Sequence, residues 1–299
     1  MAGDLAGEKL AQLERSLLEH FMPGYAAQDP ETLKRELFIH TIHRLTEHRN
    51  NVIPWLAEHM SLSGARVLEI GAGTGASIVA LAEVSRQVDG IDIEESHLRV
   101  AADRVALHGL HNVRLLVRNA LDLEDLYAEP YDLIVFSATL EHMTYQERIA
   151  TLRAAWDNLP AGGHLCIYET PNRLWYRDDH TSLMPFFHWL PDDLAMDYAV
   201  KSSRSDFAEA LAGRDPVTLA RWGRGASFHE IDLAIGLDAV EVRQSQHEFL
   251  CARHPHYRQA WEASPGKRYA ALLAEIAPAV PGPFLEELLS LLLRKPGAD

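Results

Sequence analysis

Cysteine, long apolar runs and blocks of basic residues are all scarce in this chain of 299 residues. The two cysteines, Cys166 and Cys251, stand far apart and no CxxC pair occurs, which excludes a zinc knuckle or a dithiol redox centre. No segment approaches the roughly 18 consecutive apolar residues that a membrane-spanning helix needs. The first 20 residues carry four acidic side chains and no continuous apolar stretch, unlike a secretory signal. We therefore predict a soluble, cytoplasmic protein with no membrane partner.

Acidic residues outnumber basic ones, 43 Asp+Glu against 28 Lys+Arg, for a formal net charge of -15. An acidic surface repels phosphates, so we expect no nucleic-acid partner. The sixteen histidines raise the question of metal binding or proton transfer. The nearest approach to a tight ligand pair is His254-Pro255-His256, where the proline favours a loop. We predict no metal site and interpret most histidines as surface or structural residues.

Residues 1–60 are predicted to form an N-terminal helical cap. Leu10, Leu13 and Leu17 share one helical face, and a break at Pro23-Gly24 follows. Asp29-Pro30 is typical of a helix N-cap followed by proline in the first turn. A third helical piece is predicted from about residue 51 to residue 60.

From Ala65 the pattern changes to short β-rich runs that alternate with helical stretches. Continuous apolar strands between amphipathic helices predict an α/β domain with a parallel sheet covered on both faces. Ligands of such sheets bind at the carboxyl ends of the strands. The predicted strands cover 66–70, 87–92, 113–119, 131–137 and 162–169, and the predicted helices cover 76–85, 94–108 and 144–158, with a shorter piece near 122–127.

The alternation stops after Thr170, where aromatic residues, histidines and prolines crowd the segment 171–191. This composition is typical of an ordered lid, and helices are predicted over 192–222, so a lid insertion covers about 171–225. A last helix and paired strands, one of them at HEFLCARH (247–254), should complete the domain at residue 255. We predict a C-terminal helical extension over 256–299, whose leucine-rich face near residues 284–292 would permit a homodimer.

The sequence Glu69-Ile70-Gly71-Ala72-Gly73-Thr74-Gly75 lies between a predicted strand and a predicted helix. Glycines allow positive φ and let a ligand approach the main chain, and the helix that follows supplies free N–H groups. Asp92 ends the next strand, where its carboxylate could hold both hydroxyls of a ribose. These two features suit a dinucleotide as well as an adenosyl cofactor.

Three further motifs follow in order: Arg118-Asn119-Ala120-Leu121-Asp122, then YDLIVFS (131–137) with Leu140-Glu141-His142, then LPAGGHL (159–165). Over about residues 65–170 the whole series resembles the class I S-adenosylmethionine (SAM)-dependent methyltransferases. The resemblance implies a Rossmann-like α/β fold with a mostly parallel seven-stranded sheet and helices on both faces. The SAM-binding domain would cover 61–255, between the helical cap and the C-terminal helices, and SAM would be the cofactor.

The resemblance also implies a role for each residue that matches a motif. Asp92 matches the acid that binds the ribose, and Asn119 stands where the family usually has Asp. Its side-chain oxygen can still accept a hydrogen bond from the adenine amino group. Ser137 matches the position that faces the sulfonium. The implied cofactor-binding residues are Glu69, Gly71, Ala72, Gly73 and Gly75 at the methionine portion, Asp92 at the ribose, Ile93, Asn119 and Ala120 at the adenine, and Ser137. Tyr25 from the cap is a further predicted cofactor contact, as an aromatic ring for the sulfonium rather than as a match to a motif.

Electron-rich rings stabilise a sulfonium cation and exclude competing water. The lid offers such rings, among which Tyr176 is the preferred catalytic candidate because it precedes the charged run RDDH (177–180). A base for the acceptor's proton could be Glu169, His180 or His229, since each borders a strand end or the lid. Glu141-His142 is interpreted as a structural turn. The rings that could form an aromatic box are Tyr25, Trp175, Tyr176, Phe186, Phe187 and Trp189.

Two enzymatic functions remain open from the residues and the resemblance. The first is methyl transfer from SAM to a small metabolite in secondary metabolism. The second is cyclisation of SAM alone, because the lid resembles that of azetidine-2-carboxylate synthases, in which the amino group of SAM displaces methylthioadenosine. SAM binding without catalysis is a third possibility that no residue favours.

Overall fold

The computed structural model describes residues 5–27 and 29–297. The chain forms two compact units. Unit 1 runs up to Ser137 and includes Asn158–His164, and unit 2 comprises Ala138–Asp157 and the chain from Leu165 onward. Within the described ranges no helix is both long enough and apolar enough to cross a membrane.

Unit 1 begins with helices, as the sequence predicts. The Asp29 carboxylate accepts hydrogen bonds from the N–H groups of Glu31 and Thr32, which caps the helix at Pro30. From there the chain stays helical to His59, with two wider π-turns inside the run. The third predicted piece is therefore the end of one long helical run. Its parts are α1 (Glu8–His20), a 3₁₀ turn (Pro23–Ala27), α2 (Pro30–Phe38), a π-turn (Ile39–His43), α3 (Arg44–Glu47), a π-turn (His48–Val52) and α4 (Ile53–His59).

After the N-terminal helices, unit 1 contains four parallel strands and two further helices. All five residues of β1 are buried, because the sheet is covered on both faces there. β1 pairs in parallel with β2 and with β4, and β2 pairs in parallel with β3. The elements are β1 (Arg66–Ile70), α5 (Ala76–Ala82), β2 (Gln87–Asp92), α6 (Glu95–Leu107), β3 (Val113–Val117) and β4 (Leu133–Ser137).

Gly75 sets how closely α5 approaches α6. It is the N-cap of α5 with φ +79°, and a Cβ on it would lie 2.8 Å from the Cβ of Ala101 and 3.0 Å from its Cα. The second of these atoms belongs to the main chain and cannot move aside. We expect Gly75→Ala to lower the free energy of unfolding by about 2 kcal/mol, through overpacking and the strained positive φ. Urea denaturation measures this loss.

Gly109→Ala is the matched control for that substitution. Gly109 also has a positive φ, +67°, but no atom within the described part of the chain lies within 4 Å of its added Cβ. We expect its cost to be the backbone strain alone. An equal loss in the two variants would show that the contact with Ala101 contributes nothing.

Unit 2 carries the lid and most of the remaining helices. Helices over 192–222 are confirmed, although they are short and separated by 3₁₀ turns. Serine and glutamate cap the next helix: the Glu230 carboxylate accepts from Ser227 N–H at 2.6 Å. The elements are α7 (Tyr145–Asn158), β5 (His164–Pro171), a 3₁₀ turn (Phe187–Trp189), α8 (Asp192–Tyr198), α9 (Ser205–Ala210), α10 (Pro216–Arg221) and α11 (Phe228–Ile235).

Two predictions for the end of the chain are wrong. The segment HEFLCARH lies in a helix rather than a strand, because Ser245 and Glu248 form a reciprocal capping box that starts it. The segment Leu288–Arg294 is a strand rather than part of a helical extension. The elements are β6 (Glu241–Val242), α12 (Gln246–Arg253), α13 (Pro255–Ala263), α14 (Pro265–Ile276) and β7 (Leu288–Arg294).

The physical reason for the second error is that β7 is buried on both of its faces. Leu289, Leu291, Leu292 and Leu293 are each 0% exposed. A continuous apolar run of this length fits a central strand and a buried helix equally well, so periodicity alone does not separate them. The leucine-rich segment is thus buried in the chain's own sheet and no longer argues for a homodimer.

The seven strands form one sheet in the order β3-β2-β1-β4-β5-β7-β6, with β7 antiparallel to β6. The predicted α/β fold with a mostly parallel seven-stranded sheet is confirmed. Strand order reverses between β1 and β4, and ligands of such sheets bind at that reversal, beyond the carboxyl ends of the strands. The glycine loop after β1 lies at this position.

Candidate functional site

The loop between β1 and α5 is tied to the sheet on one side and open on the other. The N–H groups of Gly71 and Ala72 both donate to the carbonyl of Ile91, at 2.9 and 2.8 Å. Gly73 has φ +49°, and among the described residues no atom lies within 4 Å of the place where its Cβ would be. A side chain at this position would be strained and would occupy the open space. The loop therefore leaves room for a ligand to approach the main chain.

Glu69, at the end of β1, is a buried carboxylate with one oxygen to spare. Its Oε1 accepts a short hydrogen bond from the Ser77 hydroxyl, while Oε2 is buried and has no hydrogen-bond partner within the described ranges. Burial raises the pKa of Glu69 to about 8; the Ser77 hydrogen bond opposes this rise and the negative charge of Asp92 adds to it. A buried carboxylate oxygen without a donor is costly, so this one is ready to receive a donor or a cation.

The carboxylate of Asp92 is held between two main-chain amides. Its Oδ2 accepts from Gly73 N–H and its Oδ1 accepts from Glu94 N–H, both at 2.9 Å. The glycine loop after β1 and the end of β2 are thereby fixed to each other. The next residue, Ile93, is 59% exposed. An acid followed by an exposed apolar side chain suits a ribose that carries a flat, apolar base.

His97 and Phe21 belong to this neighbourhood and were not predicted from the sequence. Nδ1 of His97 lies 3.9 Å from Oδ1 of Asp92, and the rings of His97 and Phe21 meet edge to face at 5.0 Å. Phe21 directly follows α1, so the N-terminal helical segment reaches the carboxylate through His97. No local motif marks either residue, because they are 76 positions apart in the chain.

The remaining predicted cofactor residues of unit 1 occupy the ends of strands or the cap. Asn119 follows β3, and its side-chain oxygen accepts from Leu121 N–H at 2.9 Å, which orders the turn that contains Ala120. Ser137 ends β4, next to Phe136, whose register partner on β1 is Ile70. Tyr25 lies in the 3₁₀ turn after α1, with its side chain 38% exposed.

These groups fit the cofactor that the resemblance implies. The carboxylate of Asp92 supplies negative charge for a cationic ligand, and Glu69, whose Oε2 is buried without a partner among the described residues, supplies a second once it releases its proton. The glycine loop leaves a gap that a Cβ would fill, and exposed Ile93 offers an apolar surface. SAM carries a cationic sulfonium and amine, a ribose and an adenine. The donor set of unit 1 therefore matches each part of it.

In unit 2, His229 lines a cavity of about 550 Å³. Its ring stacks on Phe228 with 3.8 Å between centroids, and its Nδ1 lies 3.2 Å from the Ser227 hydroxyl oxygen. The wall opposite is largely apolar and comes from α14, through Leu272, Leu273 and Ile276. The full lining is Arg173, Leu174, His188, Trp189, Ser227, His229, Tyr269, Leu272, Leu273 and Ile276.

Tyr176 is linked to this cavity through Tyr269, whose ring meets that of Tyr176 edge to face at 5.1 Å. Glu169, on β5, is the only one of the four catalytic candidates with a positive φ, +56°. Its N–H donates to the Ser290 hydroxyl at 3.2 Å and its Oε1 accepts from the Tyr168 hydroxyl at 3.2 Å. Its carboxylate is thus held in place by the sheet.

His180 lines a different cavity of about 480 Å³, together with His142. Desolvation lowers the pKa of His180 to about 4, with a further lowering by His142, so the ring is neutral at pH 7. The structure therefore brings Tyr176 and His229 towards one cavity through Tyr269 but places His180 in another.

The lid aromatics do not form one box within the described chain. Trp175 is 2% exposed and packs edge to face on Tyr269 at 5.2 Å. Phe187 is equally buried and packs on Phe207 at 5.7 Å. The exposed rings are those of Phe186 and Trp189, which meet at 4.8 Å, and Trp189 lines the cavity of about 550 Å³. Most of these rings therefore hold the long lid together.

The chain is similar in sequence to known methyltransferases. A family model described as "Methyltransferase domain" matches residues 61–187. The ubiquinone biosynthesis O-methyltransferase of Xylella fastidiosa (strain M23) is 35% identical over 185 residues, which cover 61% of this chain and 68% of that protein. A protein of the same name from Stutzerimonas stutzeri (strain A1501) is 31% identical over 140 residues, which cover 46% of this chain and 57% of the relative. The match thus spans little more than half the length of the second relative.

Among solved structures, a SAM-dependent methyltransferase from Clostridium acetobutylicum ATCC 824 is 16% identical, with a TM-score of 0.40 over 51% of this chain and 66% of that one. The sequence match to the Xylella protein, by contrast, exceeds 30% identity over two thirds of the relative. The residues matched by the family model, 61–187, include the glycine loop, and the strand order agrees with that family. The chain belongs to the class I SAM-dependent methyltransferases, a family whose cofactor is SAM.

Proposed function

We propose that this protein transfers a methyl group from SAM to a small-molecule acceptor. The observation that carries the proposal is the buried Oε2 of Glu69, which has no partner in the described part of the chain and belongs to the residue two positions before a glycine loop with room for a ligand. When bound, SAM supplies an electrophilic methyl group on its sulfonium. The acidic charge of the chain favours a small acceptor over nucleic acid.

Unit 1 would hold the cofactor through the residues described above. Glu69 would accept from the cationic methionine portion, and Asp92 would accept from the ribose hydroxyls. Ile93 would cover the adenine, while Asn119 and Ala120 would hydrogen-bond its edge. Gly71, Ala72, Gly73 and Gly75 would let the ligand approach the main chain, with Ser137 near the sulfonium and Tyr25 as a further ring from the cap.

The acceptor would be largely apolar, with a polar reactive group. The cavity of about 550 Å³ has apolar walls and a few polar side chains, which is typical of small-molecule sites. The relatives are named O-methyltransferases, which supports an oxygen nucleophile. We propose His229 as the base that takes its proton, with Tyr176, Glu169 and His180 as the other catalytic candidates. A role in secondary metabolism stays a prediction.

The proposal is tested by incubating the purified full chain with SAM, with and without a panel of phenols and catechols. Mass spectrometry follows S-adenosylhomocysteine, methylthioadenosine and methylated acceptors. We expect S-adenosylhomocysteine and a methylated product in equal amounts, and only when an acceptor is present. An Asp92→Ala sample serves as the control for contaminating enzymes.

Cyclisation of SAM would give a different outcome in the same experiment. The diagnostic products would be methylthioadenosine and azetidine-2-carboxylate, formed from SAM alone and faster than without protein. Their formation would overturn methyl transfer and support the cyclisation hypothesis. SAM binding with no turnover on any acceptor would support a protein that binds SAM without catalysis.

We expect the affinity for SAM to rise with pH, because Glu69 must lose its proton to receive a cation. The pKa of this carboxyl is raised to about 8 by burial, so below that pH the open site holds a proton that binding must release. The dissociation constant should fall about tenfold per pH unit between pH 6 and 8 and level off above. Calorimetry in buffers of different ionisation enthalpy measures both the affinity and the released proton.

Glu69→Gln is the control for this pH dependence. Its amide has nearly the same shape and does not titrate, so we expect weaker binding with little slope over the same range. The same carboxyl has a stability signature. Because its folded pKa lies above the unfolded one, it stabilises the ligand-free protein below about pH 4.5, an effect lost as pH rises through about 8. Unchanged slopes in the Gln variant would reject Glu69 as the titrating group.

A further inference from the structure

One carboxylate and two imidazoles converge within unit 2, outside the glycine-loop site. Glu141, His142 and His180 each offer one ligand atom, and these atoms all lie within 4.8 Å of one another. Nε2 of His142 is 4.0 Å from Oε1 of Glu141, and the two imidazole ring centroids are 5.6 Å apart. Glu141 and His142 were interpreted as structural from the sequence, and no local spacing connects them to His180.

The Glu141 side chain is completely buried and only half satisfied. Its Oε2 accepts from the Thr170 hydroxyl at 3.1 Å, whereas Oε1 has no hydrogen-bond partner among the residues described. Desolvation raises the pKa of this carboxyl, the expected response of an acid that lacks a full set of partners. Oε1 is also the oxygen nearest to His142, so the unpartnered atom points at the cluster.

Hydrogen bonds fix which nitrogen of each imidazole is free to bind a ligand. Nδ1 of His142 lies 2.8 Å from the carbonyl oxygen of Arg221, so this nitrogen carries the proton and Nε2 carries the lone pair. Nδ1 of His180 lies 3.0 Å from the Thr181 hydroxyl, whose own proton goes to the carbonyls of Trp222 and Gly223 at 2.9 Å. Nδ1 of His180 therefore donates, and its Nε2 is likewise unprotonated. Outer partners of this kind orient metal-binding imidazoles.

The surrounding chain holds the three groups rigidly. The Arg148 guanidinium donates to the carbonyls of Leu140 and Met143, at 2.8 and 3.3 Å, on either side of Glu141 and His142. Gly223 lies directly against the ring of His180: a Cβ on it would fall 2.6 Å from Nδ1. The position of His180 thus depends on a residue without a side chain.

The exposed side of the cluster opens into the cavity of about 480 Å³ that His142 and His180 line. Two arginines that line this cavity are each paired with an acidic side chain. Arg221 pairs with Glu147 at 2.6 Å, and Arg204 pairs with Asp206 at 3.1 Å. Both imidazoles are exposed and already within 4.8 Å of the Glu141 oxygen, so an ion could reach them from the cavity, which leaves further coordination positions to water or an anionic ligand.

We propose that Glu141, His142 and His180 form a binding site for a divalent transition-metal ion of the Zn²⁺ class. Two neutral imidazole nitrogens and one carboxylate oxygen are the ligands such an ion prefers, and three protein ligands leave a position open. The ion would also supply the partner that Oε1 of Glu141 lacks.

The test is a calorimetric titration of the full chain, stripped with EDTA, with ZnCl₂ in a non-chelating buffer. We expect one saturable site per chain, and a Zn²⁺-dependent increase in melting temperature, because a ligand that binds only the folded state stabilises it. Glu141→Gln, His142→Ala and His180→Ala should each weaken binding about tenfold or more and remove the increase. Gly223→Ala should weaken it as well, by displacing the His180 ring.

His256→Ala is the control, since it breaks the pair His254-Pro255-His256 and leaves the cluster intact. We expect its affinity for Zn²⁺ to equal that of the unaltered chain. Binding that is lost in this variant but kept in His142→Ala and His180→Ala would overturn the site, as would the lack of any saturable binding. If a variant does not fold, Zn K-edge absorption on the unaltered chain is the deciding measurement. A spectrum with two imidazole ligands would support the proposal, and a spectrum without imidazole ligands would overturn it. Neither result depends on methyl transfer.

Discussion

We expect Asp92→Ala to bind SAM about a hundredfold more weakly than the unaltered chain. We propose that this carboxylate accepts from the ribose hydroxyls, and hydrogen bonds to a charged group contribute about 1.5–3 kcal/mol. The same substitution removes the acceptor for Gly73 N–H and Glu94 N–H, so the glycine loop also loses its tie to β2. Isothermal calorimetry with SAM and with S-adenosylhomocysteine measures the effect on both ligands.

Two control variants, Glu94→Ala and Asp92→Asn, separate the effect of net charge from the effect of losing the hydrogen-bond acceptors of Asp92. Glu94 is an exposed acid two positions along, so its removal changes the net charge by the same amount and leaves the carboxylate of Asp92 in place. We expect that variant to bind SAM normally. Asp92→Asn keeps one acceptor oxygen for the loop and should lose less affinity than Asp92→Ala. Unaltered affinity in Asp92→Ala, with an unaltered circular dichroism spectrum, would reject Asp92 as the ribose-binding acid.

We expect Arg148→Leu in α7 to cause a large loss in the free energy of unfolding. The guanidinium of Arg148 is fully buried and donates to four carbonyls and to Oε1 of Glu230, the last at 2.9 Å. Removing it would leave Oε1 of Glu230 and the four carbonyls without this donor, although Oε2 of Glu230 would keep its hydrogen bond from Ser227 N–H. Breaking a buried ion pair in this way costs about 3–5 kcal/mol. The carbonyls belong to Leu140, Met143, Arg224 and Gly225.

Urea denaturation followed by circular dichroism measures that loss, and Arg99→Ala is the matched control. Arg99 pairs with Glu95 at 2.9 Å one helical turn away, with both side chains more than half exposed. An exposed pair of this kind contributes about 0.5 kcal/mol or less. Arg148→Lys should lie close to Arg148→Leu, because an ammonium group cannot reach acceptors spread around a planar fork. Equal losses in Arg99→Ala and Arg148→Leu would contradict this account.

The sequence correctly placed the glycine loop between a strand and a helix, and Asp92 at the end of the next strand. Chemistry there is local: Glu69, the glycines and Asp92 each lie at a strand end that the apolar pattern marks. The structure then joins Asp92 to Gly73 through a main-chain hydrogen bond. A loop between a strand and a helix has few alternative conformations, so its position in the fold follows from the strand and helix patterns on either side; the binding roles of its residues stay a prediction.

The catalytic candidates were harder to predict because they lie on a long lid without a repeating pattern. His180 and His229 looked equivalent in the sequence, yet they line two different cavities. Whether a lid histidine meets a substrate, a carbonyl or another histidine depends on contacts between distant segments. His142 illustrates the point, since its partners Arg221 and His180 are 79 and 38 positions away.

The scarcity of cysteine, of long apolar runs and of basic blocks, together with the order of the motifs, determined the fold class and the family. These features depend on periodicity and on short segments, which a linear chain displays. Only the tertiary structure decided that Leu288–Arg294 is a strand, that most lid rings pack on one another, and that Glu141 meets two histidines. The physical reason is that burial on both faces and ligand geometry are properties of packed neighbours, which sequence spacing does not specify.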